Sequence, residues 1–135
     1  MQNLLKSIIS HEGFSSRPYP DPITKGVPFT FGHGLTYLTE GESIEIVKNR
    51  IVTIRSQIST FYPPFSNFPD EVKDIITEMA YQMGVTGLLQ FKDTLHHILN
   101  KDYVQASKNM LASKWAKQTP KRAQTLANKM AQIKG

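Results

Sequence analysis

The sequence predicts a predominantly helical α+β fold with one small β-hairpin near the N-terminus. Three observations predict it. Apolar residues recur at three- and four-residue intervals through most of the chain. Four prolines crowd residues 18–28, where aromatic and smaller residues begin to alternate. Thr39-Glu40-Gly41-Glu42, a capping box, then opens a long periodic run. The 135 residues fit a single domain, 1–135, which can bury roughly two-thirds of its unfolded surface without a metal or disulfide staple. With 39% hydrophobic and 20% charged residues the chain reads as globular rather than disordered or fibrous. No apolar run approaches the roughly 18 residues of a bilayer span, so no membrane insertion is expected.

Each element follows in order. Leu4, Leu5, Ile8 and Ile9 stand at helical spacing over residues 2–13, with Glu12 on the edge of that stripe and Gly13 as its stop. Pro18, Pro20, Pro22 and Pro28 break any helix, and Phe29, Phe31, Leu35 and Tyr37 alternate with smaller residues, which predicts a twisted hairpin lobe over about 13–40. Ile44, Val47, Ile51, Ile54 and Ile58 follow Thr39 in a 3-4-3-4 pattern and predict a connecting helix over about 42–58. The aromatic, proline-rich segment 61–69 ends it, and Asp70 is placed to cap the next helix.

That helix carries Val72, Ile75, Ile76, Met79, Ala80 and Met83 as a broad core stripe. Shorter apolar patterns follow at Leu95, Ile98 and Leu99, and at Tyr103, Ala106 and Met110. Ala123, Leu126, Ala127, Met130 and Ile133 make the last, opened by Thr119 as N-cap and Pro120 at the first helical position. Residues 70–135, together with the N-terminal helix, are expected to form a helical lobe.

Composition removes several chemistries. Cysteine is absent, which excludes disulfides, thiolate catalysis and Cys-ligated zinc. His11-Glu12 begins like a zinc-protease helix motif, but Ser15 stands where the second histidine belongs. His96 and His97 are adjacent and poorly placed to chelate together. No metal site and no organic cofactor is expected, and there is no glycine-rich phosphate loop or dinucleotide fingerprint. Residues 1–9 do not read as a signal peptide, so any export is expected to need another route. Net charge is +5 and uneven: residues 101–135 hold eight Lys or Arg against one acid, Asp102. Such a face suits nucleic acid, a membrane surface or an acidic wall polymer, or is a solvated lysine-rich surface. No aromatic–basic interleaving supports nucleic-acid binding.

Glu12 and Asp21 carry the strongest chemical suggestion. One ends a helix on its apolar edge and the other lies in a proline-rich turn of the expected β lobe. A helix end facing a small sheet makes a cleft, and two carboxylates in unlike surroundings suit glycosidic bond cleavage: the desolvated one keeps its proton, the solvated one stays ionised.

The surrounding residues sharpen this. His11-Glu12-Gly13-Phe14, then Tyr19-Pro20-Asp21, then Phe29-Thr30-Phe31-Gly32-His33-Gly34 resemble the Glu-Gly, Tyr-x-Asp and Thr-x-Gly-x-Gly elements of the phage-type lysozymes. A second block resembles the same family: Tyr81-Gln82-Met83-Gly84, Thr86-Gly87, Phe91, Ser113-Lys114-Trp115 and Gln118-Thr119-Pro120-x-Arg122-Ala123. The resemblance implies a two-lobed lysozyme-like fold and a muramidase acting on peptidoglycan glycan strands as a monomer, without a cofactor. It implies Glu12 as general acid, Asp21 as second carboxylate and Thr30 as the residue holding the attacking water. Tyr81, Thr94 and Asn109 match positions that contact the glycan. The stretch from Asp21 to Thr30 is longer than in the family, so Thr24 and Thr36 compete with Thr30 for the water. Leu35 stands where the family commonly has a histidine, and His33 lies between the glycines, with a structural or local role. Two rival readings are a lytic transglycosylase and a catalytically inactive wall-binding phage structural domain; the presence of both Glu12 and Asp21 argues against the second.

Overall fold

The computed structural model describes residues 2–20 and 29–134. In chain order these form α1 (Gln2–Glu12), β1 (Ser15–Pro20), β2 (Phe29–Gly32), α2 (Glu40–Phe61), a 3-10 turn (Pro63–Asn67), α3 (Asp70–Met83), α4 (Val85–Leu89), α5 (Lys92–Leu99), α6 (Tyr103–Leu111), α7 (Lys114–Gln118) and α8 (Pro120–Ala131). This is the helical α+β fold with a small antiparallel sheet that the sequence predicts. The chain divides into two compact units, Met1–Ile46 and Val47–Gly135, with the division inside α2.

In the first unit α1 ends where Gly13 takes φ +68°. The Gly13 N–H still donates to the Ile9 carbonyl at 3.0 Å, closing the last turn. A left-handed residue after the last turn suits glycine, which has no Cβ to clash. The chain then enters β1 two residues later. Ser15 faces Gly32, Tyr19 faces Thr30 and Pro20 faces Phe29, with a bulge between Ser15 and Tyr19. A two-stranded sheet consists only of edges, so Pro18 and Pro20 are tolerated within it. The alternation from Phe29 to Tyr37 is not one strand. β2 stops at Gly32, and the chain doubles back so that Phe31 and Leu35 exchange backbone hydrogen bonds of 2.8 Å in both directions.

The capping box forms as the sequence predicts. The Glu42 N–H donates to Thr39 Oγ1 at 3.1 Å, and the Thr39 N–H donates to Glu42 Oε1 at 3.0 Å. The Thr39 N–H first, and the Thr39 hydroxyl after it, hold the Glu42 carboxyl below its ordinary 4.5. A carboxyl lowered in the folded state contributes stability above its ordinary value and loses it as pH falls through the folded one. Replacing Glu42 with Gln should therefore flatten the acid limb of a stability–pH curve below about pH 4.5, read by denaturant titration across that range.

The second unit holds the buried core of the described residues. Ile58 of α2 packs with Val72, Ile75, Ile76, Met79 and Ala80 of α3, the stripe that periodicity marks. Leu95 and Ile98 of α5, Tyr103, Ala106 and Met110 of α6, and Ala123, Leu126, Ala127 and Met130 of α8 extend it, with Phe65, Phe68, Leu88, Trp115 and Ala116. Leu99 is instead 49% exposed, and Met83 and Ile133 pack at the edge. The buried Ser107 hydroxyl donates to the Ala127 carbonyl at 2.7 Å and ties α6 to α8.

Two caps differ from expectation. Pro69, extended at φ −56° and ψ 150°, holds the N-cap place of α3, so Asp70 is the first helical residue rather than the cap. There its carboxylate, with that of Glu71, meets the positive end of the helix dipole. Thr119 does hold the N-cap of α8, ahead of Pro120, but its hydroxyl donates back to the Trp115 carbonyl at 3.1 Å instead of accepting from α8.

Gly84 separates α3 from α4 at φ 86° and ψ 157°. Side chains other than hydrogen are all but barred from this region. Gly84→Ala is expected to lower stability by about 1–3 kcal/mol, measured as a drop in the urea midpoint at unchanged slope.

Candidate active site

The residues singled out from the sequence fall in both units. In the first, Glu12 is the last residue of α1 and Thr30 lies in β2 opposite Tyr19. Ser15, three residues after Glu12, pairs with Gly32, two after Thr30, so one small sheet anchors both segments. Asp21 and Thr24 lie outside the described residues. Thr36 sits, exposed, in the irregular stretch between β2 and α2. The His33 ring packs 5.4 Å from that of Phe14, tilted by 52°, a local contact that fits the structural reading of this histidine.

In the second unit Thr94 and Asn109 come together. Thr94, 4% exposed on α5, and Asn109 on α6 line one groove of about 230 Å³ with Phe91, Lys92, Asp93 and Ser113. Gln105 Nε2 donates to Asn109 Oδ1 at 3.1 Å, which fixes the orientation of that amide. Ser113 caps α7, accepting from the Ala116 N–H at 3.2 Å and donating to the Met110 carbonyl at 2.6 Å. The Phe91 ring meets Trp115 edge-on, 6.1 Å between centroids. Trp115 is 6% exposed and belongs to the core, where its Nε1 donates to Gln82 Oε1 at 2.9 Å. Gln82→Met keeps the length of the side chain and removes the acceptor. It should cost about 1 kcal/mol, read by chemical denaturation and by a shift in tryptophan emission.

Tyr81 lines a different groove. It is 39% exposed and borders a space of about 500 Å³ with Val47, Ile51, Arg55, Asp74, Thr77, Glu78 and Arg122. Two ion pairs cross this groove. Arg122 Nε donates to Glu78 Oε2 at 2.8 Å, joining α8 to α3. Arg55 Nη2 pairs with Asp74 while its Nε donates to Thr77 Oγ1 at 3.1 Å. Both guanidinium groups are 40% exposed, so each pair contributes little to stability and mainly sets side-chain geometry. The sequence reading passed over Arg55, Asp74, Thr77 and Glu78. A signal was present: Asp74, Thr77, Glu78 and Tyr81 stand at i, i+3, i+4 and i+7, a second stripe beside the apolar one.

Among the described residues no three of His, Cys, Asp and Glu gather as a metal site. The His96 and His97 rings lie 5.7 Å apart, and His96 Nε2 is 3.2 Å from the Asn100 amide. Nor is any described helix long and apolar enough to cross a membrane.

A helical chain with a small N-terminal sheet, a glutamate closing the first helix and a threonine on the second strand is the outline of a lysozyme-like protein. Comparison with known families bears this out: the phage lysozyme family model matches residues 9–132, and the chain belongs to that family. Two curated relatives, both from Dictyostelium discoideum, are similar to it. "Probable T4-type lysozyme 1" is 35% identical over 77 residues, covering 57% of this chain and 44% of the relative. "Probable T4-type lysozyme 2" is 32% identical over 87 residues, covering 63% of this chain and 51% of the relative. The chain thus spans about half the length of the curated relatives it matches.

Proposed function

We propose that the chain is a muramidase, a glycoside hydrolase that cuts the β-1,4 bond between N-acetylmuramic acid and N-acetylglucosamine in peptidoglycan and thereby lyses bacteria. The observation that carries this reading is the phage lysozyme family match over 9–132, a span that includes Glu12, Asp21 and Thr30. The printed names of both relatives, T4-type lysozymes, support it.

In this mechanism Glu12 gives its proton to the leaving glycosidic oxygen as positive charge builds on the sugar ring. Asp21 stays ionised, stabilises that charge and draws a proton from water on the opposite face of the sugar. Thr30 holds that water through its hydroxyl, which can donate and accept at once. Thr94, Asn109 and Tyr81 contact the glycan; the groove shared by Thr94 and Asn109 offers an amide and hydroxyls of the kind that recognise acetamido and hydroxyl groups. The chain acts as one lysozyme-like domain, as a monomer, at the bacterial cell wall. None of these steps calls on a metal or organic cofactor.

Purified peptidoglycan tests the reading. The native chain should clear a turbid suspension of it and release soluble fragments bearing reducing ends. Intact suspensions after prolonged incubation with the folded chain would overturn the proposal.

A further inference from the structure

The first turn of α5 opens on the groove shared by Thr94 and Asn109 with part of its donors unspent. Phe91 holds the N-cap place and makes no side-chain cap bond, whereas Asp102 caps α6 and Ser113 caps α7. The Lys92 N–H donates to the Gln90 carbonyl at 2.8 Å, and the Leu95 N–H donates to the Phe91 carbonyl at 3.0 Å. Between them, the N–H groups of Asp93 and Thr94 have no acceptor among the described residues. Such free N–H groups form the positive end of a helix dipole.

A second observation comes from a side chain. Thr94 is 4% exposed, yet its hydroxyl has no hydrogen-bond partner among the described residues. Unlike the sealed Tyr62 hydroxyl, it is reachable from the groove it lines. A buried hydroxyl left unpaired costs stability, and a ligand atom in the groove would supply its partner.

The other groups of the groove narrow what that atom is. Asn109 Oδ1 is taken by Gln105, which leaves the Asn109 NH2 free to donate. The Ser113 hydroxyl is spent within the fold on Met110 and Ala116. Lys92 and Asp93 are exposed on the rim, and neither forms an ion pair among the described residues. Two N–H groups, a hydroxyl, an amide NH2 and a lysine all seek acceptors. Asp93 alone brings a negative charge of its own.

Such a set favours an acceptor that carries negative charge. The glycan strand is a poor source of one: its acetamido groups are neutral, and the lactyl acid of N-acetylmuramic acid is spent in the link to the peptide. The free carboxylates of peptidoglycan lie on its peptide stems. We infer that the first turn of α5 takes a carboxylate of the stem peptide, held by the Asp93 and Thr94 N–H groups, the Thr94 hydroxyl and Lys92. Asn109 stays with the adjoining glycan. Asp93 opposes the ligand's charge from the rim and so limits affinity. This inference rests on the muramidase reading above and names the part of the substrate that α5 recognises.

Backbone amide resonances of the full chain, followed as isolated stem peptide is added, test it without any cleavage. Expected are shifts at the Asp93 and Thr94 amides with the free-acid peptide, and about tenfold weaker affinity for the same peptide amidated at every carboxyl. Thr94→Val keeps the branched shape and removes the hydroxyl. It should weaken binding about tenfold while the urea midpoint holds or rises, because an unpaired buried hydroxyl has been removed. Lys92→Gln should weaken binding about two- to fivefold, and Lys92→Arg should restore it. Asp93→Asn should tighten it. Equal affinity for the two peptides, undiminished binding by Thr94→Val, or weaker binding by Asp93→Asn would each overturn the inference. So would equal shifts at these amides from a stem-free glycan fragment, which would assign the turn to sugar. A native chain that binds the peptide in this way but leaves peptidoglycan uncut would count against the muramidase reading alone.

Discussion

Glu12→Gln is expected to reduce peptidoglycan hydrolysis by about two to four orders of magnitude while leaving the fold intact. The exchange keeps shape and hydrogen-bonding capacity but removes the one proton that can be handed to the leaving oxygen. An alkoxide leaving group is otherwise expelled against its own high basicity, which is why acid catalysis carries so much of the rate. Glu12 closes α1, and Gly13, at φ +68°, turns the chain toward β1. A substitution at the helix's last residue leaves the buried core untouched, since among the described residues that core lies between Ile58 and Met130. Circular dichroism and the urea midpoint should therefore match those of the native chain. A folded Glu12→Gln protein with most of its activity would remove Glu12 from the mechanism.

Asp21→Asn is expected to cost about two orders of magnitude or more, for a different reason. The amide neither stabilises positive charge on the ring nor accepts a proton from the attacking water. Asp21→Cys should retain part of the activity, because a thiolate is anionic once its pKa is lowered by its surroundings. The graded series Asp, Cys, Asn thus reports the charge requirement rather than the shape requirement. Undiminished turnover by Asp21→Asn would point to a lone glutamate, and with it to a lytic transglycosylase in which the sugar's own hydroxyl attacks.

How much of this was legible in the sequence depends on the range of the interaction that decides each feature. Thr39 and Glu42 lie within one turn, so their reciprocal capping could be read directly, and it forms. The stripe Val72, Ile75, Ile76, Met79 and Ala80 needs only helical geometry to be found, and all five are buried. Asp70 has the chemistry of a cap yet is the first helical residue, because Pro69, with no N–H to lose, also fits a helix entrance. The alternation of Phe29, Phe31, Leu35 and Tyr37 marks a hairpin lobe but does not reveal where the chain turns back, which is between Phe31 and Leu35. Long-range pairings were not legible. Arg122 meets Glu78 across 44 positions, Trp115 meets Gln82 across 33 and Arg55 meets Thr77 across 22. No local spacing encodes such partners. Among the glycan-binding candidates, Thr94 and Asn109 share a groove while Tyr81 borders another, a separation that sequence order alone does not show.

The central claim is that the chain breaks one particular glycosidic bond with water as the second reactant. Digestion of purified peptidoglycan in water enriched in heavy oxygen, followed by mass analysis of the fragments, tests it most directly. The account predicts one heavy oxygen per bond cut, carried at a new reducing end on N-acetylmuramic acid. Fragments ending in the anhydro form of that sugar without the label, or the label on N-acetylglucosamine ends, would contradict it.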